Sequence, residues 1–235
     1  MKKLFLILLL LIPMSVHAKT YELEEFDLSI NFNDDWHIFT RDNIVGNKEL
    51  KTLEINEQDM NDFFNDYNAY LNAINKYYDE FYIIINDTDF NNMSNLNDGQ
   101  LEDIGNGLMK ETGSEIYEII RSGGITYIRI NFYNEETSAY YIEYFTTVNA
   151  KSYSIIFRSN NSSPSDDLVI EVNDIVKSID IKVDENLKED NVDQDYFKTE
   201  PDTLFPRNFI LYGLLVGLVV GTIGEIINKC VNKSK

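Results

Sequence analysis

The sequence has few of the side chains that bind metals or form disulfides. It contains one cysteine, Cys230, and two histidines in 235 residues. One cysteine excludes an intramolecular disulfide, so a folded domain must be stabilised by its core alone. His37 is the only histidine outside the N-terminal apolar segment. One histidine and one distant cysteine exclude a zinc site built from imidazoles and thiolates.

Short catalytic motifs are also missing. The chain has no GxSxG nucleophile motif, no HExxH motif and no phosphate-binding P-loop. Ser114 follows Gly113 but precedes Glu115, a context that does not indicate a nucleophile. Carboxylates are abundant, and no pair stands out as the acid and base of a glycosidase, so a cell-envelope hydrolase stays open as a less favoured alternative. We predict a protein that is not an enzyme, with no catalytic residue, bound metal or cofactor.

Basic residues are scarce relative to acidic ones. The chain has 20 Lys and Arg against 40 Asp and Glu, for a net charge of −20. Such a chain repels phosphates, so we expect no nucleic-acid partner. The acidic excess is compatible with a cation or a basic partner, and it also keeps a protein soluble at a crowded surface.

Long apolar runs occur only at the two ends of the chain. At the N-terminus, Lys2 and Lys3 precede the apolar stretch Leu4 to Ile12, and Val16-His17-Ala18 has the small-x-small pattern of a cleavage site. This predicts a signal peptide over residues 1–18 that is cleaved after Ala18. An uncleaved N-terminal anchor is the alternative.

The second apolar run, Phe209 to Ile227, predicts a membrane-spanning helix within residues 207–228. At about 1.5 Å per residue its length is roughly 28 Å, close to the thickness of the hydrocarbon layer. Three lysines follow it, Lys229, Lys233 and Lys235, whereas carboxylates dominate before it. Basic flanks stay in the cytoplasm. We therefore expect a single-pass protein of the cell membrane, with the N-terminal domain outside and residues 229–235 in the cytoplasm.

Four glycines share one face of the predicted membrane helix: Gly213, Gly217, Gly221 and Gly224. Their spacing of four, four and three residues lets a second helix approach closely, which predicts packing against a partner helix and a homodimer. The alternative is that glycine is simply common in membrane helices.

Residues 19–183 show the patterns of one α+β domain. The chain order that we predict is β-β-α-β-α-β-β-β-β-α-β. Alternating apolar residues predict strands, and Ser122-Gly123-Gly124 predicts a hairpin turn. The spacing of Met60, Phe63, Phe64, Tyr67, Leu71 and Ile74 predicts one amphipathic helix capped by Asn56, and a last helix is expected to begin at Ser163-Pro164. Trp36, the only tryptophan, is expected in the core rather than in a ligand platform.

Two polar segments leave alternatives open. Asp87, Asp89 and Asn91 copy the start of a calcium-binding loop, but Asn92 stands where the turn needs glycine and Asp98 where a glutamate belongs. A solvated loop that leads into a helix near Asp98 to Lys110 is the favoured interpretation. Residues 184–206 are rich in carboxylates and predict an extended acidic linker.

Two stretches carry a resemblance to a known family. Leu28 to Thr40 (LSINFNDDWHIFT) and Tyr140 to Ile181, with YYIEYFTTVNAKSYSIIF and IVKSIDI, resemble the PsbP-like superfamily. The resemblance covers roughly Tyr21 to Val183 and rests on pattern rather than on a site motif. It implies an antiparallel sheet flanked by helices, an α-β-α sandwich, and a binding or scaffolding role.

These observations predict a non-catalytic, membrane-tethered extracytoplasmic domain that binds or scaffolds a protein partner at the cell surface or in the membrane. The alternative is a cation-responsive sensor or an assembly subunit of a membrane complex.

Overall fold

An antiparallel sheet of seven strands organises the part of the chain that the structure describes. The structure is a computed structural model and describes residues 18–88, 90–184 and 186–187. The strand order in the large sheet is β3-β4-β5-β9-β8-β7-β6, and a second sheet has the order β1-β2-β10. All pairings in both sheets are antiparallel. The predicted α+β class is therefore confirmed.

The helices and strands have the following bounds. The strands are β1 (Ala18–Leu23), β2 (Leu28–Asn33), β3 (Trp36–Thr40), β4 (Ala69–Asn75), β5 (Glu80–Asp87), β6 (Tyr117–Ser122), β7 (Ile125–Asn134), β8 (Ala139–Val148), β9 (Lys151–Ser159) and β10 (Asp180–Ile181). The helices are α1 (Lys48–Thr52), α2 (Glu57–Asp66), α3 (Asp98–Thr112) and α4 (Asp166–Lys177).

Other elements cover both faces of the large sheet, because its strands carry apolar residues on both sides. On one face, Ile83 and Ile155 pack in a cluster with Ile30 of β2 and Val172 of α4. On the opposite face, apolar residues of α1 and α2 pack with Tyr82 and Ile84 at one end of the sheet. At the other end, Leu101 of α3 packs with Ile128. The predicted α-β-α sandwich is thus correct in part. Helices cover one face, whereas the small sheet together with α4 covers the other.

The long helix predicted over Met60 to Ile74 is wrong. The structure ends α2 at Asp66, and Leu71 and Ile74 lie in β4. Asn68 has a φ of 51°, and its side-chain amide donates to the carbonyl of Ile85. This left-handed residue turns the chain back to pair with β5. The apolar residues of β4 continue the helical spacing of those in α2 by coincidence. Because β4 is buried on both faces, it also lacks the alternation of apolar and polar residues that marks a strand.

Two further elements were missed, and the start of the last helix moved. The prediction contained neither β1 nor the five-residue helix α1, so the predicted chain order is incomplete. The last helix begins after Ser165, whose hydroxyl accepts from the amide of Leu168, rather than at Ser163. The strands on either side of Asn33 to Asp35 do not pair with each other. β2 belongs to the small sheet and β3 to the large one, so the chain crosses between the sheets at this point.

Several other local predictions within the described residues agree with the structure, whereas the predicted signal peptide, linker and membrane helix lie almost entirely outside them. Asn56 caps α2 by accepting from the amide of Gln58, and helix α3 follows the polar loop at Asp98. Gly123 and Gly124 form the turn between β6 and β7 with φ values of 58° and 81°, which glycine adopts without steric cost. Within residues 18–88, 90–184 and 186–187, the structure contains no helix of the length and apolar character needed to cross a bilayer.

Candidate functional site: an acidic cleft

Four chain segments enclose a cleft at one end of the sheets. It has a volume of about 560 Å³ and is open to solvent. We call it the acidic cleft and define it by its lining residues: Asp35, Trp36, Asn75, Lys76, Tyr77, Asp79, Asn161, Ser163, Ser165, Asp167, Leu168 and Glu171. They come from the crossing between β2 and β3, the β4–β5 turn, the loop after β9 and the first turns of α4.

Glu171 of α4 ties the helix to the crossing between the sheets. Its Oε1 accepts from the indole Nε1 of Trp36 at 2.7 Å and from Nδ2 of Asn33 at 2.6 Å. Asn33 also accepts from the amide of Asp35 at 2.9 Å, which shapes the crossing itself. Trp36 is buried and packs against Phe32, as predicted for a core residue. This wall of the cleft is therefore held by the same contacts that join the two sheets.

Asn75 shapes the opposite wall, the turn between β4 and β5. Its Oδ1 accepts from the amides of Tyr77 at 2.8 Å and Asp79 at 3.0 Å, and its Nδ2 donates to Oδ2 of Asp79 at 3.0 Å. The amide of Tyr78 closes the turn on the carbonyl of Asn75. One asparagine thus orders the turn and holds the carboxylate of Asp79 in place.

Asp79 is the most unusual residue of the cleft. Its exposed fraction is 2%, and its Oδ1 is buried without a hydrogen-bond partner among the described residues. Buried carboxylate oxygens are normally paired, because removing them from water without a compensating donor costs free energy. A buried, half-satisfied carboxylate in the wall of an open cleft marks a position where a ligand could supply the missing donor.

The rim of the cleft already holds one ammonium group, which belongs to the chain itself. Lys76 Nζ lies 3.5 Å from Oδ2 of Asp35 and 5.2 Å from the centre of the Tyr77 ring. The side chains of Lys76 and Asp35 are both exposed, so this pair contributes little to stability. The lining contains four carboxylates and this one lysine, and its electrostatic potential therefore favours cations.

A buried ion pair lies next to the cleft in sequence. Arg158 Nη1 of β9 is 3.0 Å from Oε1 of Glu80, the residue after Asp79. Burial raises the pKa of Glu80 to about 7. The neighbouring Arg158 opposes this rise in pKa, and the charge of Asp79 adds to it. Arg158 thus supplies the counter-charge of Glu80 inside the protein.

The segment that copies the start of a calcium-binding loop makes contacts with the rest of the protein. Asp87 forms an ion pair with Lys151, and the carbonyl of Asn91 accepts from the amide of Ala150. These contacts dock the loop on the β8–β9 turn. Asp89 lies outside the described residues. In the part of the chain that the structure describes, no three His, Cys, Asp or Glu residues lie close enough together to hold a metal ion.

Among the described residues that the sequence singled out, Ser114 and His37 do not line the cleft. The hydroxyl of Ser114 lies 2.8 Å from the carbonyl oxygens of Ile116 and Asn131 and can donate to either of them, which gives it a structural role beside β7. His37 lies on β3 with Nδ1 3.2 Å from Oε2 of Glu49. Gly213, Gly217, Gly221 and Gly224, like Cys230, lie outside the described residues, and helix packing through this face stays a prediction.

The sequence interpretation missed the acidic cleft. The sequence pattern places Asp79 in a loop between a helix and a strand, and it does not indicate that this residue lies in a hairpin turn. The sequence Asn-Lys-Tyr-Tyr-Asp between two apolar runs is the one local signal, since asparagine is common where side chains close a turn. Asp167 and Glu171 gave only the pattern of a helix surface.

Comparisons with known proteins give similarity of structure only. No protein-family model matches the sequence. No curated protein matches it either. The solution structure of cyanobacterial PsbP from Synechocystis sp. PCC 6803 aligns with 71% of this chain and 94% of its own, at 10% identity and a TM-score of 0.43. A crystal structure from Bacteroides thetaiotaomicron VPI-5482 aligns with 72% of this chain and half of its own, at 14% identity and a TM-score of 0.40.

The first of these two structures is named a PsbP, the family that the sequence resembles. At these scores and identities the similarity transfers neither a site nor an activity.

Proposed function

We propose that the protein is a non-catalytic binding domain, tethered to the membrane and displayed outside the cell, and that the acidic cleft binds its protein partner. The observation that carries the proposal is the cleft itself, an open cavity whose walls are ordered by hydrogen bonds to Glu171 and Asn75. Walls fixed in this way are preorganised, so little conformational freedom is lost on binding. The volume of the cleft is suited to one or two side chains of a partner.

The tether in this proposal comes from the sequence. The signal peptide over residues 1–18, the acidic linker over 184–206 and the apolar run Phe209 to Ile227 would place the cleft on the outer side of the membrane. The glycine face of Gly213, Gly217, Gly221 and Gly224 would pair two chains within the membrane. A domain held close to a membrane meets membrane and surface proteins at a high effective concentration, which suits a cleft of modest affinity.

Site-specific photocrosslinking in the producing cell tests this function. A photoreactive phenylalanine derivative would replace Tyr77, which lines the cleft with an exposed fraction of 69%. The matched control replaces Tyr133, which is 44% exposed and does not line the cleft. We expect a discrete crosslinked protein from position 77 and none, or a different set, from position 133. Equal labelling from both positions, or no adduct at position 77, would contradict the proposal.

A further inference from the structure

We infer that the acidic cleft recognises a primary ammonium or guanidinium group carried on an aliphatic stem, and that this group compensates the buried carboxylate of Asp79. The inference rests on the proposed function and specifies its ligand. The same chemistry is found in two sources, a lysine or arginine side chain of a protein partner and a free polyamine, and the experiment below separates them.

The first argument comes from Asp79. Its Oδ2 already accepts from Asn75, while Oδ1 is buried and has no donor in the part of the chain that the structure describes. An ammonium has three donors and a guanidinium five, so either group can satisfy this oxygen and neutralise its charge at the same time. Charge-assisted hydrogen bonds of this kind are stronger than those between neutral groups. Because Oδ1 is screened from water, the surrounding side chains must shift slightly to admit the donor.

The second argument comes from Lys76. Its ammonium rests between the carboxylate of Asp35 and the ring of Tyr77 at the rim of the cleft. An aromatic ring within about 6 Å attracts a cation through its negative face. The rim therefore already binds a group of the inferred chemistry. Because that group is exposed and weakly held, a ligand ammonium can compete with it.

The third argument comes from the shape of the cleft. A volume of about 560 Å³ greatly exceeds that of a single metal ion. The lining also includes apolar surface from Leu168 and Trp36, which suits methylene groups rather than a hydrated ion. Asp167 and Glu171 lie four residues apart on α4 and therefore on the same face of the helix, from which both line the cleft. An aliphatic stem along this face with its cationic end toward Asp79 matches both kinds of surface.

Tryptophan fluorescence of the full-length protein in a non-ionic detergent provides the assay. Trp36 is the only tryptophan of the chain and lines the cleft, so its emission reports occupancy directly. The probes are a short acetylated and amidated peptide Gly-Lys-Gly, the same peptide with norleucine in place of lysine, and spermidine. We expect a saturable change with the lysine peptide that weakens as salt rises, and none with the norleucine peptide.

Four variants locate the binding. Asp79→Asn keeps an oxygen for Asn75 but removes the charge, and should weaken binding at least about tenfold. Asp167→Asn should weaken it about two- to fivefold, as expected for an exposed charge. The matched control Asp166→Asn makes the same change in the same helical turn, outside the cleft lining, and should leave binding unchanged. Lys76→Gln removes the internal competitor and should strengthen binding about two- to fivefold.

The outcomes separate this inference from the proposed function. Binding that depends on Asp79 and Asp167 but not on Asp166 supports the inference, and a response to spermidine alone assigns the ligand to free amines. No saturable response to either amine, or equal losses from Asp166→Asn and Asp167→Asn, overturns it. If the adduct at position 77 forms equally in the Asp79→Asn and Asp167→Asn variants, the cleft binds a partner through different chemistry. In that case the proposed function survives and the inference does not.

Discussion

At the scale of single residues, the large sheet buries the carboxyl group of Glu143. Glu143 of β8 lies under the layer of α1 to α3, and the hydroxyl of Ser154 donates to its Oε1 at 2.7 Å. Burial raises the pKa of Glu143, and the hydrogen bond from Ser154 opposes this rise only in part. The folded protein therefore binds the proton of this group more tightly than the unfolded chain does.

This raised pKa predicts a pH dependence of stability. Because the folded state holds the proton more tightly, the contribution of Glu143 to the free energy of unfolding falls as the pH rises above 4.5, its ordinary pKa. The loss is about 1.4 kcal/mol for each pH unit between the unfolded and folded pKa values. Glu143→Gln removes this loss while keeping an oxygen for Ser154. We expect a higher melting temperature than that of the wild type at pH 7.5, by about 2–4 °C for each 1 kcal/mol of this loss, and a nearly equal one at pH 4.

Thermal melts across this pH range, followed by circular dichroism, make the measurement. Glu136→Gln is the control, because Glu136 is an exposed loop residue for which the same charge change should have little effect at any pH. If the melting temperatures of Glu143→Gln and the wild type change in parallel over the whole pH range, the pKa of Glu143 is the same in the folded and unfolded states. This result would contradict the prediction.

At the scale of elements, two glycines of α3 have opposite surroundings. A Cβ at Gly105 would lie 2.5 to 2.7 Å from ring atoms of Tyr117 in β6, whereas a Cβ at Gly107 would meet nothing within 4 Å. Gly105 thus lets the helix approach the edge strand of the large sheet. Gly107 lowers the helix propensity without any packing benefit.

Alanine at these two positions should therefore change stability in opposite directions. We expect Gly107→Ala to stabilise the domain by about 0.5–1 kcal/mol, because alanine restricts the unfolded chain. Gly105→Ala should destabilise it by about 1–3 kcal/mol, since the ring of Tyr117 must move out of its place. Urea unfolding of the two variants, side by side, serves as its own control. A stabilising Gly105→Ala would show that Tyr117 does not pack on this glycine.

The elements also show what the sequence could and could not predict. Hairpins and caps such as Gly123-Gly124 and Asn56 were predictable, because their signals lie within a few residues. Strand β4 was not, because its buried residues continued the spacing of α2 and the residue that separates them, Asn68, gave no distinctive signal. The cleft was not predictable either. Asp35, Asp79 and Asp167 are far apart in the sequence and meet only through the pairing of β3 with β4 and the docking of α4.

At the scale of the whole molecule, the proposed topology makes Cys230 a unique reporter. It is the only cysteine and follows the predicted membrane helix. A membrane-impermeant maleimide should label Cys230 only after the cells are permeabilised. In a Cys230→Ser background, Val45→Cys, at a position 86% exposed on the described domain, should be labelled on intact cells. Labelling of Cys230 on intact cells would contradict the proposed orientation.

The same thiol reports pairing through the glycine face. A bifunctional thiol reagent should link two wild-type chains at Cys230, and Gly217→Ile should reduce this product strongly by separating the helices. The control is Gly107→Ala, which changes a glycine outside the predicted membrane helix and leaves the glycine face of that helix intact. A product that is unaffected by Gly217→Ile would remove the glycine face from the interaction.

The small sheet joins residues from the two ends of the described domain. Leu28 pairs with Ile181 and Ser29 with Asp180, and the amide of Lys182 donates to the carbonyl of Asp27. Contacts between such distant residues form slowly, because a long stretch of chain must be closed into a loop first. A ribosome or translocation channel delivers β2 early and β10 near the end. The edge of β2 that pairs with β10 must therefore stay unpaired until almost the whole domain has emerged. During this interval the nascent protein most needs a chaperone.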